Sequence, residues 1–192
     1  MKDSKDSITM LKGDYGEKII IDRLQQASSN TKYFNVMKNI LPERHLYDLM
    51  VQKWTLTKSN NIEYKIVDTS ISKIDVKTFP PLRLYPDSTG INESCWLEYK
   101  QIPEILIIFI DLENKNIYGD FVYNLIGKEF ILKTSKSQDR ICWKINELLP
   151  INKIIPEINP NLSKDEIYNL NMLNKLLGYE SELKQMRYLL GI

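Results

Sequence analysis

Asp75 and Lys77 stand two residues apart in Ile74-Asp75-Val76-Lys77-Thr78-Phe79, a short apolar run. As a strand, with its period of two, this run puts the acid and the lysine on one face and Ile74, Val76 and Thr78 on the other. That pair suits metal-assisted hydrolysis of a phosphodiester. Hard oxygen ligands hold magnesium, and a nearby ammonium orients the attacking water and offsets charge growing on the phosphate. The backbone carbonyl of Val76 is a further candidate ligand. Such a site needs more carboxylates, and the chain offers Asp48 in the apolar stretch 46–54 and Glu17 in a helical one.

The elements that must position these groups follow from patterning. Residues 1–12 are polar and read as frayed. Residues 14–26 read as a helix, with Asp14 as N-cap, Glu17 three residues on, and Ile20, Ile21 and Leu24 at helical spacing. Glu17 either closes a capping box with Asp14 or, at the edge of the apolar face, turns toward a site. Residues 33–40 are either a short strand or a turn-rich segment. Residues 46–54 read as a strand on which Asp48 shares a face with Met50, Gln52 and Trp54, either as a site acid or as an edge acid facing water. Lys58-Ser59-Asn60-Asn61 marks a hairpin turn, and 70–79 becomes the third strand of an antiparallel meander that brings Asp48 and Asp75 to one side of one sheet.

Farther on, 82–93 is loop by composition, and Trp96, Tyr99 and Ile102 suggest a short helix whose aromatic residues serve packing rather than base stacking. Ile105 to Ile110 is a fully buried central strand, with 117–125 as its hairpin partner. Residues 131–133 and 141–145 add an edge strand. Pro150, Pro156 and Pro160 punctuate a linker, dividing a core domain of 1–149 from a tail of 150–192. In the tail, Ser163 and Glu166 form a capping-box signature opening a helix with Ile167, Leu170, Leu173 and Leu177 that stops at Gly178, and a second helix covers about 181–190. This helical hairpin either folds back on the core's edge or meets a protein partner or a second copy of the chain.

Asp48 in an apolar strand, Asp75-Val76-Lys77 in a later one and Glu17 on a preceding helix together resemble the PD-(D/E)xK nuclease superfamily. The helix carrying Gly13, Gly16 and Glu17 is similar to the first helix of its resolvase-like branch. The resemblance covers residues 13–125 and implies an α/β fold with α+β character, a restriction-endonuclease-like mixed β-sheet flanked by helices, with the C-terminal helical hairpin appended. It also implies Asp48 and Asp75 as metal ligands, Glu17 as an auxiliary ligand and Lys77 as the catalytic lysine. Tyr47 precedes Asp48 where the motif's name has proline. Glu98-Tyr99-Lys100 is a rival acid–lysine pair in a setting less like a strand.

The function expected is a magnesium- or manganese-dependent endonuclease acting on DNA, with Lys73, Arg83 and Lys100 as candidate phosphate contacts beside the motif strand. The alternative is a non-catalytic binding or accessory subunit on a nuclease-like fold. A net charge of +1 leaves phosphate binding to a local patch rather than to the whole surface. Two cysteines exclude a disulfide framework, and with the polar N-terminus point to a reducing cytoplasm. The longest apolar run is far short of the roughly 18 to 20 residues that cross a bilayer, so no membrane role is expected. His45 is the sole histidine, which leaves Ser/His/Asp chemistry and a four-ligand structural zinc site without support. Phosphate-binding glycine loops are absent.

Overall fold

Every residue of Leu106–Asp111 is buried, which a strand achieves only with neighbours on both edges and a layer on each face. The computed structural model supplies both, and it describes residues 4–29, 32–39, 46–68, 73–78, 85–133, 139–176, 184, 186–188, 190 and 191. In chain order the elements are α1 (Ser4–Gln26), β1 (Lys32–Lys38), β2 (Leu49–Ser59), β3 (Ile62–Asp68), β4 (Lys73–Thr78), β5 (Ser88–Asn92), α2 (Glu93–Tyr99), β6 (Leu106–Asp111) and β7 (Asn116–Phe121). There follow α3 (Val122–Leu125), β8 (Phe130–Leu132), β9 (Arg140–Lys144), a 3-10 turn, β10 (Leu149–Pro150), α4 (Ile151–Ile154) and α5 (Lys164–Lys175). Seven strands form one sheet in the order β1-β2-β4-β6-β7-β10, with β3 added to β2. In that sheet β4 and β6 run parallel, and the other described pairs are antiparallel. Strands β5, β9 and β8 make a second sheet. The chain is thus a mixed α/β fold built on a mixed sheet flanked by helices.

Alternation along the strands divides the interior. Leu106, Ile108 and Ile110 of β6, with Ile74 and Val76 of β4, join Ile20 and Leu24 of α1 and Leu170 and Leu173 of α5 in one core. Ile105, Ile107 and Phe109 face the opposite way, onto Trp96 and Tyr99 of α2 and Trp143 of β9. There Trp96 and Trp143 meet edge to face with centroids 4.9 Å apart, so the aromatic residues of α2 are packing groups.

Several elements differ from the sequence expectation. The first helix begins at Ser4, because the apolar series continues backward through buried Leu11 and Ile8. Residues 4–12 are therefore helical rather than frayed. Asp14 is interior to the helix and caps nothing, which removes the capping-box reading of Glu17. Residues 32–38 are a strand. The hairpin turn expected at 58–61 is tighter: β2 runs through Ser59, and Asn60 and Asn61 form a two-residue turn with φ of 52° and 62°. The meander is corrected: β4 pairs with β2 at Leu49–Ile74 and Met50–Lys73, not with β3. Strand β2 is long enough to seat both along one edge, with β3 taking Lys53 to Ser59 and β1 the other edge. The stretch 88–92, expected as loop, is β5, paired with β9. Strands β8 and β9 pair with each other in the second sheet rather than edging the main one.

Ile151, Ile155 and Ile158, between the prolines, are buried in the same core as α1. The Ser163 hydroxyl accepts the Glu166 N–H and the Glu166 carboxylate accepts the Ser163 N–H, so the expected capping box opens α5. The same carboxylate takes the Arg23 guanidinium at 2.7 and 2.8 Å, and Arg23 also donates to the carbonyls of Asn159 and Asn161. Asn169 donates to the Tyr15 hydroxyl at 3.1 Å. Of the second tail helix, residues 184, 186–188 and 190 are described and helical, with Met186 and Leu190 buried against the α1 core.

Gly16 sets how closely α1 approaches the sheet: a Cβ there would overlap Thr78 Oγ1 and press Ile110 Cδ1 at 3.3 Å, whereas one at Gly13 would meet nothing within 4 Å. We expect Gly16→Ala to cost about 2 kcal/mol through forced separation of α1 from β4. Gly13→Ala should instead stabilise by about 0.5 to 1 kcal/mol through helix propensity. Urea denaturation of the two variants measures the difference, and equal midpoints would contradict the close approach.

Candidate active site

Among the described residues, strand β4 has β2 as a partner over Lys73 and Ile74. Beyond that point the two separate, and Asp48 occupies the opening. The Asp48 N–H donates to the Ile74 carbonyl at 2.9 Å, the residue that Leu49 also faces. Two residues against one is the count of a β-bulge. On its other side the Asp48 carbonyl accepts the Asn39 N–H at 2.8 Å. So anchored, Asp48 turns its carboxylate to β4, where Oδ2 accepts the Val76 N–H at 2.7 Å. The strand begins after Asp48, so alternation with Met50, Gln52 and Trp54 does not set its direction, contrary to the sequence expectation. In an extended strand a residue's N–H and C=O lie toward one edge, so the Val76 carbonyl faces the same opening.

Asp75 and Lys77 project from the other face of β4, toward α2. Asp75 is 1% exposed. Its Oδ1 accepts the Lys77 ammonium at 2.8 Å, and its Oδ2 is buried with no hydrogen-bond partner. Lys77 also lies 5.8 Å from the centroid of the Tyr99 ring. Another buried acid shows what a purely structural carboxylate does. Asp111 accepts from the backbone of Glu113 and Asn114, from the Asn114 amide and from the Tyr118 hydroxyl, so both of its oxygens are used.

These charges act on one another. Burial, the Asp75 carboxylate and, more weakly, Glu17 push the Asp48 carboxyl up to about 7, against the opposing pull of Lys77 and the Val76 N–H. Burial works against the Lys77 ammonium, but Asp75, Tyr99 and Asp48 together raise its pKa. Burial and the Asp75 charge hold the Tyr99 phenol well above its ordinary value.

A cleft of about 390 Å³ opens beside Asp48, walled by Thr9, Lys12 and Glu17 of α1, by Val76, Lys77 and Thr78 of β4 and by Asn174 of α5. The structure therefore brings Glu17, Asp48 and Lys77 to one cleft, with Asp75 paired to Lys77 behind it. Glu17 is held by Lys38 at 2.8 Å. The other sequence candidates lie elsewhere. Lys73 pairs with Glu104 at 3.3 Å and Lys100 with Glu129 at 3.0 Å, and neither walls the cleft; Arg83 lies outside the described residues. The rival pair Glu98 and Lys100 sits at the end of helix α2, not on a strand. Among the described residues, no three of His, Cys, Asp and Glu converge as a metal-holding group, and no helix is long and apolar enough to cross a membrane.

Sequence reasoning missed Tyr99, Lys12 and Asn174. Lys12 had a signal: once the apolar series is traced back to Ile8, Lys12 falls one turn along the same face.

The raised Asp48 pKa makes the proton a stabilising ligand of the metal-free fold. Its contribution is full below the unfolded value near 4 and is lost as pH rises through about 7. After discounting for solvent in the cleft, on the order of 2 kcal/mol should disappear across that window. Asp48→Asn keeps an acceptor for the Val76 N–H without the charge. Urea melts in EDTA from pH 4 to 8 should show its stability relative to wild type rising by that amount, and parallel profiles would count against the coupled acids.

No protein-family model matches the chain, and no curated protein matches it.

Proposed function

We propose that this protein is a metal-dependent endonuclease hydrolysing DNA phosphodiester bonds, its mixed sheet serving as a restriction-endonuclease-like core of the PD-(D/E)xK type. The observation that carries the reading is the opening between β2 and β4, where the Asp48 carboxylate and the edge of Val76 meet next to a buried Asp75–Lys77 pair with one carboxylate oxygen unpartnered.

The donor set suits magnesium or manganese. The Asp48 and Asp75 carboxylates and the Val76 carbonyl are hard oxygens, and magnesium commonly keeps several waters rather than requiring an all-protein cage. Two carboxylates balanced by one lysine also leave negative charge in excess, which adds to burial in pushing the Asp48 carboxyl up. When bound, a divalent ion supplies Lewis acidity toward the phosphate and lowers the pKa of water. Glu17 joins this set as an auxiliary ligand by exchanging its partner Lys38.

The chain's own residues do the positioning. Asp75 fixes the Lys77 ammonium, and Tyr99 flanks that ammonium on the α2 side. Raised well into the charged range, Lys77 orients the attacking water and offsets charge developing on the phosphate. Lys73 and Lys100, with Arg83, serve as outlying contacts to the DNA backbone, the two lysines exchanging their surface carboxylate partners for phosphates.

Plasmid and branched DNA incubated with purified protein in magnesium or manganese test this. Wild type should cut, Lys77→Ala and Asp75→Ala should each lose about a hundredfold or more, and calorimetry should show manganese binding that Asp75→Ala abolishes. No cutting, or full cutting by Lys77→Ala, would end the reading; a protein that neither binds manganese nor cuts would fit the non-catalytic accessory subunit.

A further inference from the structure

Lys12 is the anomaly among the described lysines. The other half-buried ones each have a carboxylate within 4 Å: Lys18 with Asp22, Lys32 and Lys53 with Glu157, Lys73 with Glu104, Lys77 with Asp75 and Lys144 with Asp87. Lys12 is half-buried too, yet among the described residues it makes no ion pair, hydrogen bond or ring contact. Burial with nothing to offset it lowers its pKa. A partly desolvated ammonium without a counter-charge is unfavourable, and such groups concentrate at sites where a ligand supplies the missing partner.

Its position says which ligand. Lys12 walls the cleft that contains Asp48, Glu17 and Lys77, and Asn174 enters that cleft from α5. A cation and an amide donor at the rim of a cleft whose other residues include acids and a lysine form a place for one anionic oxygen group. We infer that Lys12, with Asn174, binds a backbone phosphate of the nucleic acid, one that neighbours the bond acted on at Asp48 and Lys77. This rests on the nuclease reading for its substrate and adds a subsite to it. It gives Lys12 a positioning role, and it makes α5 a wall of the substrate channel.

The test is binding without chemistry: fluorescence anisotropy of a labelled duplex titrated with full-length wild type, Lys12→Met, Lys12→Arg and Asn174→Ala in EDTA over a range of salt concentrations. Lys12→Met should bind about fivefold to tenfold more weakly at low salt, with the log–log salt slope reduced by about 1. Lys12→Arg should restore most of the slope, and Asn174→Ala should weaken binding with the slope unchanged. A merely structural lysine would leave the slope alone, so a wild-type slope in Lys12→Met overturns the inference, as does a wild type that binds no duplex at any salt. Inorganic phosphate added at constant ionic strength should compete with wild type only weakly if the subsite is built for a polymer. Competition by phosphate as strong as by unlabelled duplex would assign it to a free anion and overturn the backbone reading. The two readings fail separately: Lys12-dependent binding by a protein that never cuts sinks the nuclease reading alone, and cutting with a Lys12-independent salt slope sinks the subsite alone.

Discussion

The hydrogen bond from the Val76 N–H to the Asp48 carboxylate is the point on which the site depends. A sheet that opens between two strands leaves backbone donors stranded, and a stranded N–H away from water costs about as much as a lost hydrogen bond. Here the carboxylate replaces the missing strand, in the charge-assisted form that is shorter and stronger than a neutral pair. The bulge at Asp48 and Leu49 turns the side chain to that task. One residue thus closes the ladder and lines the cleft. It is also brought close enough to Asp75 for the two charges to oppose each other.

Burial distributes the other acids by what they are given to bind. Asp111 sits in the β6–β7 hairpin with both oxygens accepting, and Asp120 accepts from the Phe121 N–H and the Asn124 amide. Both are as inaccessible as Asp75. Asp75 differs in its partner, a lysine on Oδ1, with the Tyr99 phenol beside the same carboxylate. A buried carboxylate left short of partners is unfavourable, and such groups persist where the surroundings give them a use.

Much of this was legible in the chain. Period two set Asp75 and Lys77 against Ile74 and Val76, and the uniform apolarity of 105–110 marked a strand covered on both faces. Ser163 and Glu166 announced their helix. What escaped the sequence were relations between elements. Nothing local says that β4 joins β2 rather than β3, because that depends on β2 being long enough to hold two partners along one edge. Nothing in Leu46 to Trp54 reveals that the strand stops one residue short of Asp48, because the bulge exists only once Ile74 lies opposite. Tyr99 reads as packing, and does pack; its proximity to Lys77 comes from α2 lying on the face of β6, the strand next to β4. Lys12 was hidden by taking the polar start of the chain at face value, when buried Ile8 and Leu11 carry the helix back past it.

The pairing of α1 with α5 has a consequence for the order in which the molecule is made. Translation delivers α1 before α5, yet Leu24 and Ile20 share their core with Leu170 and Leu173, and Arg23 pairs with the Glu166 carboxylate. The first helix can settle early on the strands, with which it shares Phe34, Leu49 and Val76, but its α5-facing flank and the Arg23 guanidinium are matched after α5 has been made. The cleft acquires its Asn174 wall at the same moment. A chain lacking α5 keeps Glu17, Asp48 and Lys77 but not the Asn174 wall that encloses them.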